Sequence, residues 1–478
     1  MKTLKTLKTL KTRLITALLV ALSLGLSGCQ HTNINFTEVQ APTLPEFKPN
    51  NLPEVAPLAP TLVPNPEVTM LASGHPWHRF AANNDGQQQW VLVGLSPNKP
   101  LNEKALISEL ILLRELALQA EGAMPCGDGM QTRLTLHSIK LSMNCPTSVP
   151  PQEIIASLLG FLRAEGYADL DLREVQRRQG LQRQFEAVSG SEIDRVWEKT
   201  VLGEHHPYLT SQEDPELIKG LDQTVVAQLL EELVAENQWL LISYGGSEET
   251  QVLADAMSWL PKPQQQSTST VMSEPESDGG EILLIDAPGA VQTQVRIGYR
   301  LLQGETPSTE ACRSFASWLG RGFSGRLYYD LRVVRGLTYG VHGYCANEPL
   351  STTLQFYANT GVEHTGAFVK GVLDHLELAR QLPMPEAEFD TLKQYLQSQE
   401  RLLYASAYLA QRTYVQDLLN KKIPLSQWLA AQSPNSLQDE AQALFSRKPV
   451  IVLRGDRSVI LSDLQEKLPD WPIREVSL

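Results

Sequence analysis

The chain writes one order of elements twice, and that duplication narrows its architecture more than any other feature. An apolar strand ending near glycine opens each copy, QWVLVGL at 89–95 and QVRIGYR at 294–300. A second such strand closes each, QWLLISYGG at 238–246 and PVIVLRGD at 449–456. Gly94 to Gly245 spans 151 positions and Gly298 to Gly455 spans 157, so the copies are nearly equal. Between these strands the spacing predicts the same succession in both. A helix comes first, over Ala105–Leu118 or Thr309–Leu319, followed by a strand pair. An amphipathic helix follows, marked by Ile154, Leu158 and Phe161 or by Phe368, Val372 and Leu376. Longer helices come next, Leu172–Phe185 or Glu386–Tyr404. The elements do not alternate as βαβ units, so each copy reads as α+β with helices on one face of a sheet.

At 478 residues the chain is long enough for about three domains at roughly 150 residues each. The surplus beyond two copies has a different character. Lys2, Lys5, Lys8, Lys11 and Arg13 precede an apolar run, Leu14 to Leu26, that is too short for a bilayer needing roughly 20 residues. It ends at Leu26-Ser27-Gly28-Cys29, which resembles a bacterial lipoprotein signal with Cys29 as the lipidated first mature residue. An ordinary secretory signal with an incidental cysteine is the alternative. Gln30 after the cysteine favours, by resemblance to Gram-negative sorting rules, the outer membrane facing the periplasm. Eight prolines between His31 and Met70 exclude helix and sheet and predict a tether over 29–72. At ~3.1 Å per residue it would hold a body on the order of 100 Å from its anchor. A polar stretch, PKPQQQSTSTVMSEPESDGG at 261–280, reads as a linker between halves at 73–260 and 281–478. Without the first 28 residues the net charge is −18, which excludes the basic footprint of a nucleic-acid binder.

With Cys29 lipidated, four cysteines remain, an even number outside the cytoplasm. Cys126 and Cys145 flank an alternating stretch and would close a local loop; Cys312 and Cys345 would join a helix to a strand. Buried free thiols are the alternative for both pairs. None has the spacing of a metal site.

From Glu281 onward the residues carry a resemblance. ILLIDAPGAVQTQVRIGYR and then GFSGRLYYDLRVVRGLTYGV at 322–341 present Asp286, Pro288, Gly289, Gln292, Arg326, Leu327, Leu331, Arg332, Gly336, Leu337 and Tyr339 in order. This resembles the C-terminal half of the pitrilysin/insulinase family of zinc metallopeptidases. GEHHPYLTSQEDPELIKGL at 203–221 resembles the first half more weakly. The resemblance covers about residues 75 to 478. It implies two homologous αβ-roll halves that close like a clamshell around an extended peptide. One half supplies zinc through His-x-x-Glu-His and a distant Glu; the other supplies an Arg and a Tyr seven positions later. Arg332 and Tyr339 have that separation, and a guanidinium with a phenol makes a pair of donors for a developing oxyanion. The alternative is structural: Arg332 paired with a carboxylate such as Asp330, and Tyr339 capping a core.

The zinc motif is missing. None of the nine histidines lies in His-x-x-Glu-His or its inverse. The helix that should carry it, ALISELILLRELAL, has Glu109 and Glu115 but no histidine, and REVQRRQGLQRQFE has Gln where the third ligand belongs. His75-Pro-Trp-His78 is interrupted by proline and lacks a carboxylate, and His205-His206-Pro207 matches a structural turn of the family. The chain is therefore expected to bind no cofactor itself, with zinc on a homologous partner in a heterodimer to which it contributes Arg332 and Tyr339. The second reading is a non-catalytic peptide-binding or assembly scaffold. In both, a peptide adds to an exposed sheet edge. Cys29→Ala is expected to abolish labelled-palmitate incorporation and release the chain from the membrane fraction; labelling that persists overturns the lipidation site.

Overall fold

The computed structural model describes residues 66–81, 86–127, 129–210, 215–245, 249–262, 279–301, 308–322, 325–403, 407–420 and 424–476. The signal at 1–28, Cys29, the tether up to residue 65 and nearly all of the linker lie outside them.

The first half builds a six-stranded sheet in the order β1-β2-β6-β3-β5-β4. Its strands are β1 (Glu67–Met70), β2 (Pro76–Phe80), β3 (Gln87–Leu95), β4 (Met130–Leu134), β5 (Ser138–Pro146) and β6 (Gln238–Tyr244). Its helices are α1 (Lys104–Ala120), α2 (Pro151–Gly160), α3 (Leu172–Ser189), α4 (Glu192–Leu202), α5 (Gln223–Glu236) and α6 (Thr250–Met257). The second half repeats this as β12-β7-β11-β8-β10-β9. Here the strands are β7 (Ile282–Asp286), β8 (Gln292–Leu301), β9 (Thr338–Glu348), β10 (Ser351–Gly361), β11 (Val450–Gly455) and β12 (Ile473–Glu475). The helices are α7 (Thr309–Gly320), α8 (Thr365–Gln381), α9 (Glu386–Leu403), α10 (Ala407–Asn420), α11 (Pro434–Phe445) and α12 (Arg457–Lys467). In each sheet the closing strand, β6 or β11, runs parallel to the first central strand and antiparallel to the next.

Local chemistry sets the helix ends. Asp171, Asp222, Ser308 and Asp456 each accept a backbone N–H at a helix start, and Ser433 forms a reciprocal capping box with Ser436. One expectation is corrected at the N-terminal boundary. The tether was to exclude sheet as far as Met70, yet Glu67–Met70 pairs antiparallel with Pro76–Phe80. The prolines end at Pro66, and the free edge of β2 offers backbone partners to Val68 and Thr69.

The strands that read as continuous apolar runs are buried on both faces. On β3, Trp90 and Leu92 join the core formed with α1, α2 and α5, while Val91, Val93 and Leu95 point the other way. What covers that second face comes from the other half: Val415 and Leu419 of α10 pack on Val91, Val93, Leu240 and Ile242. The arrangement is reciprocal. Ile193, Trp197, Val201 and Leu202 of α4 pack on Leu283, Ile285, Val450 and Val452 of the second sheet. Corresponding helices are thus exchanged between halves. The α4 exchange is tied by Arg296 to Asp194 at 2.6 and 3.0 Å, by Arg454 to Glu192, and by Arg300 Nη1 donating to Leu202 O at 3.0 Å. His78 meets the Tyr414 hydroxyl at the α10 exchange. Both halves lie within one compact unit. No described helix is long and apolar enough to cross a membrane.

The four cysteines pair as Cys126–Cys145 and Cys312–Cys345, with Cα separations of 5.4 and 5.9 Å. The second bond holds α7 under β9, at a contact so close that a Cβ on Gly320 would lie 2.2 Å from Gly343 N. Only glycine on both elements lets the backbones approach this way.

If α10 is part of the first half's core, Leu419→Ala should cost about 2–5 kcal/mol in urea unfolding, like a Leu→Ala change inside one half. A loss under about 1 kcal/mol would mean the exchanged helix is dispensable.

Candidate active site

Arg332 sits in a π-helical turn, Tyr329–Val334, a wound-out geometry common at functional positions. The turn closes through Leu337 N to Leu331 O at 2.8 Å and Gly336 N to Arg332 O at 3.1 Å. Gly336 has φ +68°, the left-handed conformation that glycine adopts without strain. This reversal starts β9 at Thr338 and brings Tyr339 beside Arg332. The guanidinium donates to the Tyr339 backbone carbonyl and lies 5.5 Å from that ring and 5.4 Å from the Tyr328 ring.

The structural alternative for this pair does not describe it. Asp330 is engaged elsewhere: His375 Nε2 donates to it at 3.0 Å and Arg335 Nε at 2.9 Å. Burial alone would raise the Asp330 carboxyl, but the His375 and Arg335 hydrogen bonds outweigh it and hold the group below the usual carboxylate value. Among the described residues no carboxylate lies within ion-pair distance of Arg332. Tyr339 is 80% exposed and caps no core. Arg326, Asp286 and Gly289 of the motif are engaged within the fold. Arg326 is buried in a two-pronged pair with Glu388 of α9, at 2.7 and 3.1 Å, and Glu388 also accepts from Trp318 Nε1 at 2.6 Å. Asp286 accepts from Arg457 N at the start of α12, and Gly289 N donates to Asp456, so Asp-x-Pro-Gly locks a turn to a helix cap.

The first half holds a different arrangement where the metal would lie. A His-x-x-Glu-His motif around Glu109 would place its histidines at 106 and 110, where Leu106 and Leu110 are fully buried in the core. From α3, Arg178 bonds Glu174 at 2.8 Å and approaches Glu109 at 3.7 Å. Hydrogen bonds from Arg177 and Arg178 hold the Glu174 carboxyl down at about 2. A guanidinium between two carboxylates meets no requirement of a zinc site, and no described group of three His, Cys, Asp or Glu side chains could hold a metal ion. The histidines considered in the sequence are likewise engaged. His75 contacts Ser73 Oγ and Pro261 O, and His206 Nδ1 accepts from Tyr208 N. The Glu109–Arg178 contact has no signal in sequence spacing, because it joins helices whose crossing only the fold sets.

The sheet edge beside Arg332 is β9, which ends the second sheet and pairs with β10. The family model described as peptidase M16 inactive domain matches residues 224–396, a span that includes the turn, Tyr339 and β9. Over these residues the chain is similar to the peptidase M16 inactive-domain family. Solved structures extend the likeness of fold to both halves. A peptidase M16 inactive domain from Pseudomonas fluorescens superposes with a TM-score of 0.66 at 17% identity, covering 82% of this chain and 98% of that one. A protease from Helicobacter pylori gives 0.63 at 14% identity, covering 82% and 100%. The first half of the periplasmic protease PqqL from Escherichia coli gives 0.58 at 13% identity, covering 85% and 98%. No curated protein sequence matches the chain.

Because the folded Asp330 carboxyl titrates below its unfolded value, its contribution is complete above about pH 4 and is lost as pH falls through the folded value. Asp330→Asn should therefore cost about 3–5 kcal/mol at pH 7, the loss expected on breaking a buried pair. In urea melts the gap to the parent protein should narrow toward pH 3, and a gap independent of pH would remove Asp330 from this role.

Proposed function

We propose that this chain is the zinc-free subunit of a two-chain peptidase, anchored through Cys29 to the outer membrane on its periplasmic side. It binds extended peptides along β9 and presents Arg332 and Tyr339 to a homologous partner that holds the zinc. The observation carrying this reading is the state of the pair: a guanidinium with no carboxylate in ion-pair reach among the described residues, beside a Tyr339 that is 80% exposed. Among the described residues neither makes an ion pair, and both are donors suited to an oxyanion. Zinc on the partner would activate water and polarise the scissile carbonyl. Arg332 orients the peptide carbonyl, and the Tyr339 hydroxyl donates to the oxygen as charge gathers on it. The periplasmic neighbour among the solved structures supports an envelope setting.

A scaffold that binds peptides without cleaving them is the second reading. Leu106, Leu110 and the Arg178 ion pairs favour it, since apolar packing and ion pairs stand where the resemblance would place zinc ligands.

The test measures zinc content and peptide hydrolysis for the chain alone and mixed with a homologous subunit bearing an intact His-x-x-Glu-His. Hydrolysis is expected only in the mixture. Arg332→Ala and Tyr339→Phe should each lower it by ~10²–10³ in rate, as losing one oxyanion donor does. Zinc and activity in the isolated chain, or a mixture indifferent to both substitutions, overturns the proposal.

A further inference from the structure

We infer that Thr338 is the positioning residue of the Arg332–Tyr339 pair: its hydroxyl locks a β-bulge that turns Tyr339 out of the sheet and holds the Tyr339 carbonyl against Arg332. The inference rests on the oxyanion role given to the pair above and adds the device that fixes its geometry.

The bulge shows in the register of β9 on β10. Val341 stands opposite Ala358 and Thr338 opposite Thr360, so Tyr339 and Gly340 together face the single residue Asn359. Two residues against one make a bulge, which twists its strand and re-aims a side chain. The strand period says which side chain is re-aimed. Cys345 is bonded to Cys312 of α7, Gly343 lies against Ala316 of the same helix, and Val341 is fully buried. Side chains two apart share one face of a strand, so an unbroken β9 would send Tyr339 to this buried face as well. The extra residue passes the inward place to Thr338, which is 8% exposed, and leaves Tyr339 80% exposed.

A bulge also interrupts the ladder, and the backbone groups it frees need other partners. Thr338 supplies them. Its Oγ1 donates at 2.6 Å to the carbonyl of Asn359, the residue facing the bulge, and accepts from Gly340 N within the bulge at 3.2 Å. Thr360, 1% exposed, donates to Leu337 O at 2.6 Å and pins the backbone just before it. Threonine suits this place because its branched Cβ restricts χ1, so the hydroxyl keeps one direction.

The bulged residue is also the one that Arg332 engages. The guanidinium donates to the Tyr339 carbonyl and lies 5.5 Å from the Tyr339 ring. The placement of both donors therefore passes through one hydroxyl whose own hydrogen bonds run to backbone.

The experiment compares Thr338→Val, which keeps the branched shape and removes the hydroxyl, with Thr338→Ser, which keeps the hydroxyl. One readout needs this chain alone: the fluorine NMR resonance of a ring-fluorinated tyrosine at position 339. Serine should leave that resonance where the parent protein has it, and valine should shift it. The other readout is peptide hydrolysis in the mixture with the zinc-bearing homologue. Thr338→Val should lower kcat by about 10- to 100-fold, the scale of a displacement near ~1 Å, with KM within about twofold. Thr338→Ser should stay within about threefold of the parent in both. Valine that leaves the resonance unchanged, or shifts it without lowering kcat, overturns the inference. Serine that behaves as valine overturns it too, since the hydroxyl is then not what holds the bulge. A parent mixture without hydrolysis overturns the two-chain reading instead, and a resonance shifted by valine and kept by serine still supports the lock.

Discussion

Every feature of this molecule follows from sheets that are apolar on both faces. An antiparallel strand with one wet face alternates; β3 does not, and neither does β11. Each half owns helices for one face only. The second face of each sheet would expose Val91, Val93 and Ile242, or Leu283, Val450 and Val452, unless something from outside the half covered it. Exchanging α4 and α10 solves both problems at once, at about 1.5–3 kcal/mol for each large side chain buried. The halves are therefore one folding unit. A duplicated sequence survives here because the two copies complete each other.

That exchange also decides where chemistry can occur. With α4 lying over β7 and β11, the β8–β10–β9 part of the same face carries polar and aromatic side chains, among them Arg296, Gln355, Tyr357 and Tyr344. The ion pairs that anchor α4 use the near edge of this surface. A cavity forms where α4 stops covering it, roofed by Tyr208 from the first half. Tyr208 is fixed there by a relay across the halves. His137 Nδ1 donates to Ser96 O at 2.7 Å, so its Nε2 accepts from the Tyr208 hydroxyl at 2.8 Å. That hydroxyl in turn accepts from Leu350 N at 2.9 Å. Burial lowers the His137 pKa and keeps the ring neutral, as this relay needs.

Much of this was legible in the sequence, for a definite reason. Period and order reveal elements, so the strands at 89–95 and 294–300, the helices beginning near 105 and 309, and the Arg332–Tyr339 spacing all fall where expected. What an amphipathic helix does not reveal is its partner. Ile193, Trp197 and Val201 announce an apolar stripe, but nothing in their spacing says the stripe belongs to the other half's sheet. The same limit left open whether the cysteines are bridged or free, since Cys312 and Cys345 meet only once α7 lies against β9. It also hid the Glu109–Arg178 contact. At Glu67–Met70 proline density gave too long a tether, because strand formation there depends on an edge supplied from Pro76–Phe80.

The two halves share one plan and differ in what occupies corresponding places. In the first, Leu106 and Leu110 fill the core, and Arg178 answers the charges of Glu174 and Glu109. In the second, residues at the equivalent edge remain in states that stability does not explain. Asp330 is the carboxylate nearest in sequence to Arg332, and His375 and Arg335 occupy it, so the guanidinium stays available. Tyr339 presents its ring to water at the start of β9 although a buried position would release apolar area. A half that had lost all function would have lowered its free energy by pairing the one and covering the other. Both stand beside the β9 edge of the second sheet, which is the arrangement that the proposed role of the pair requires.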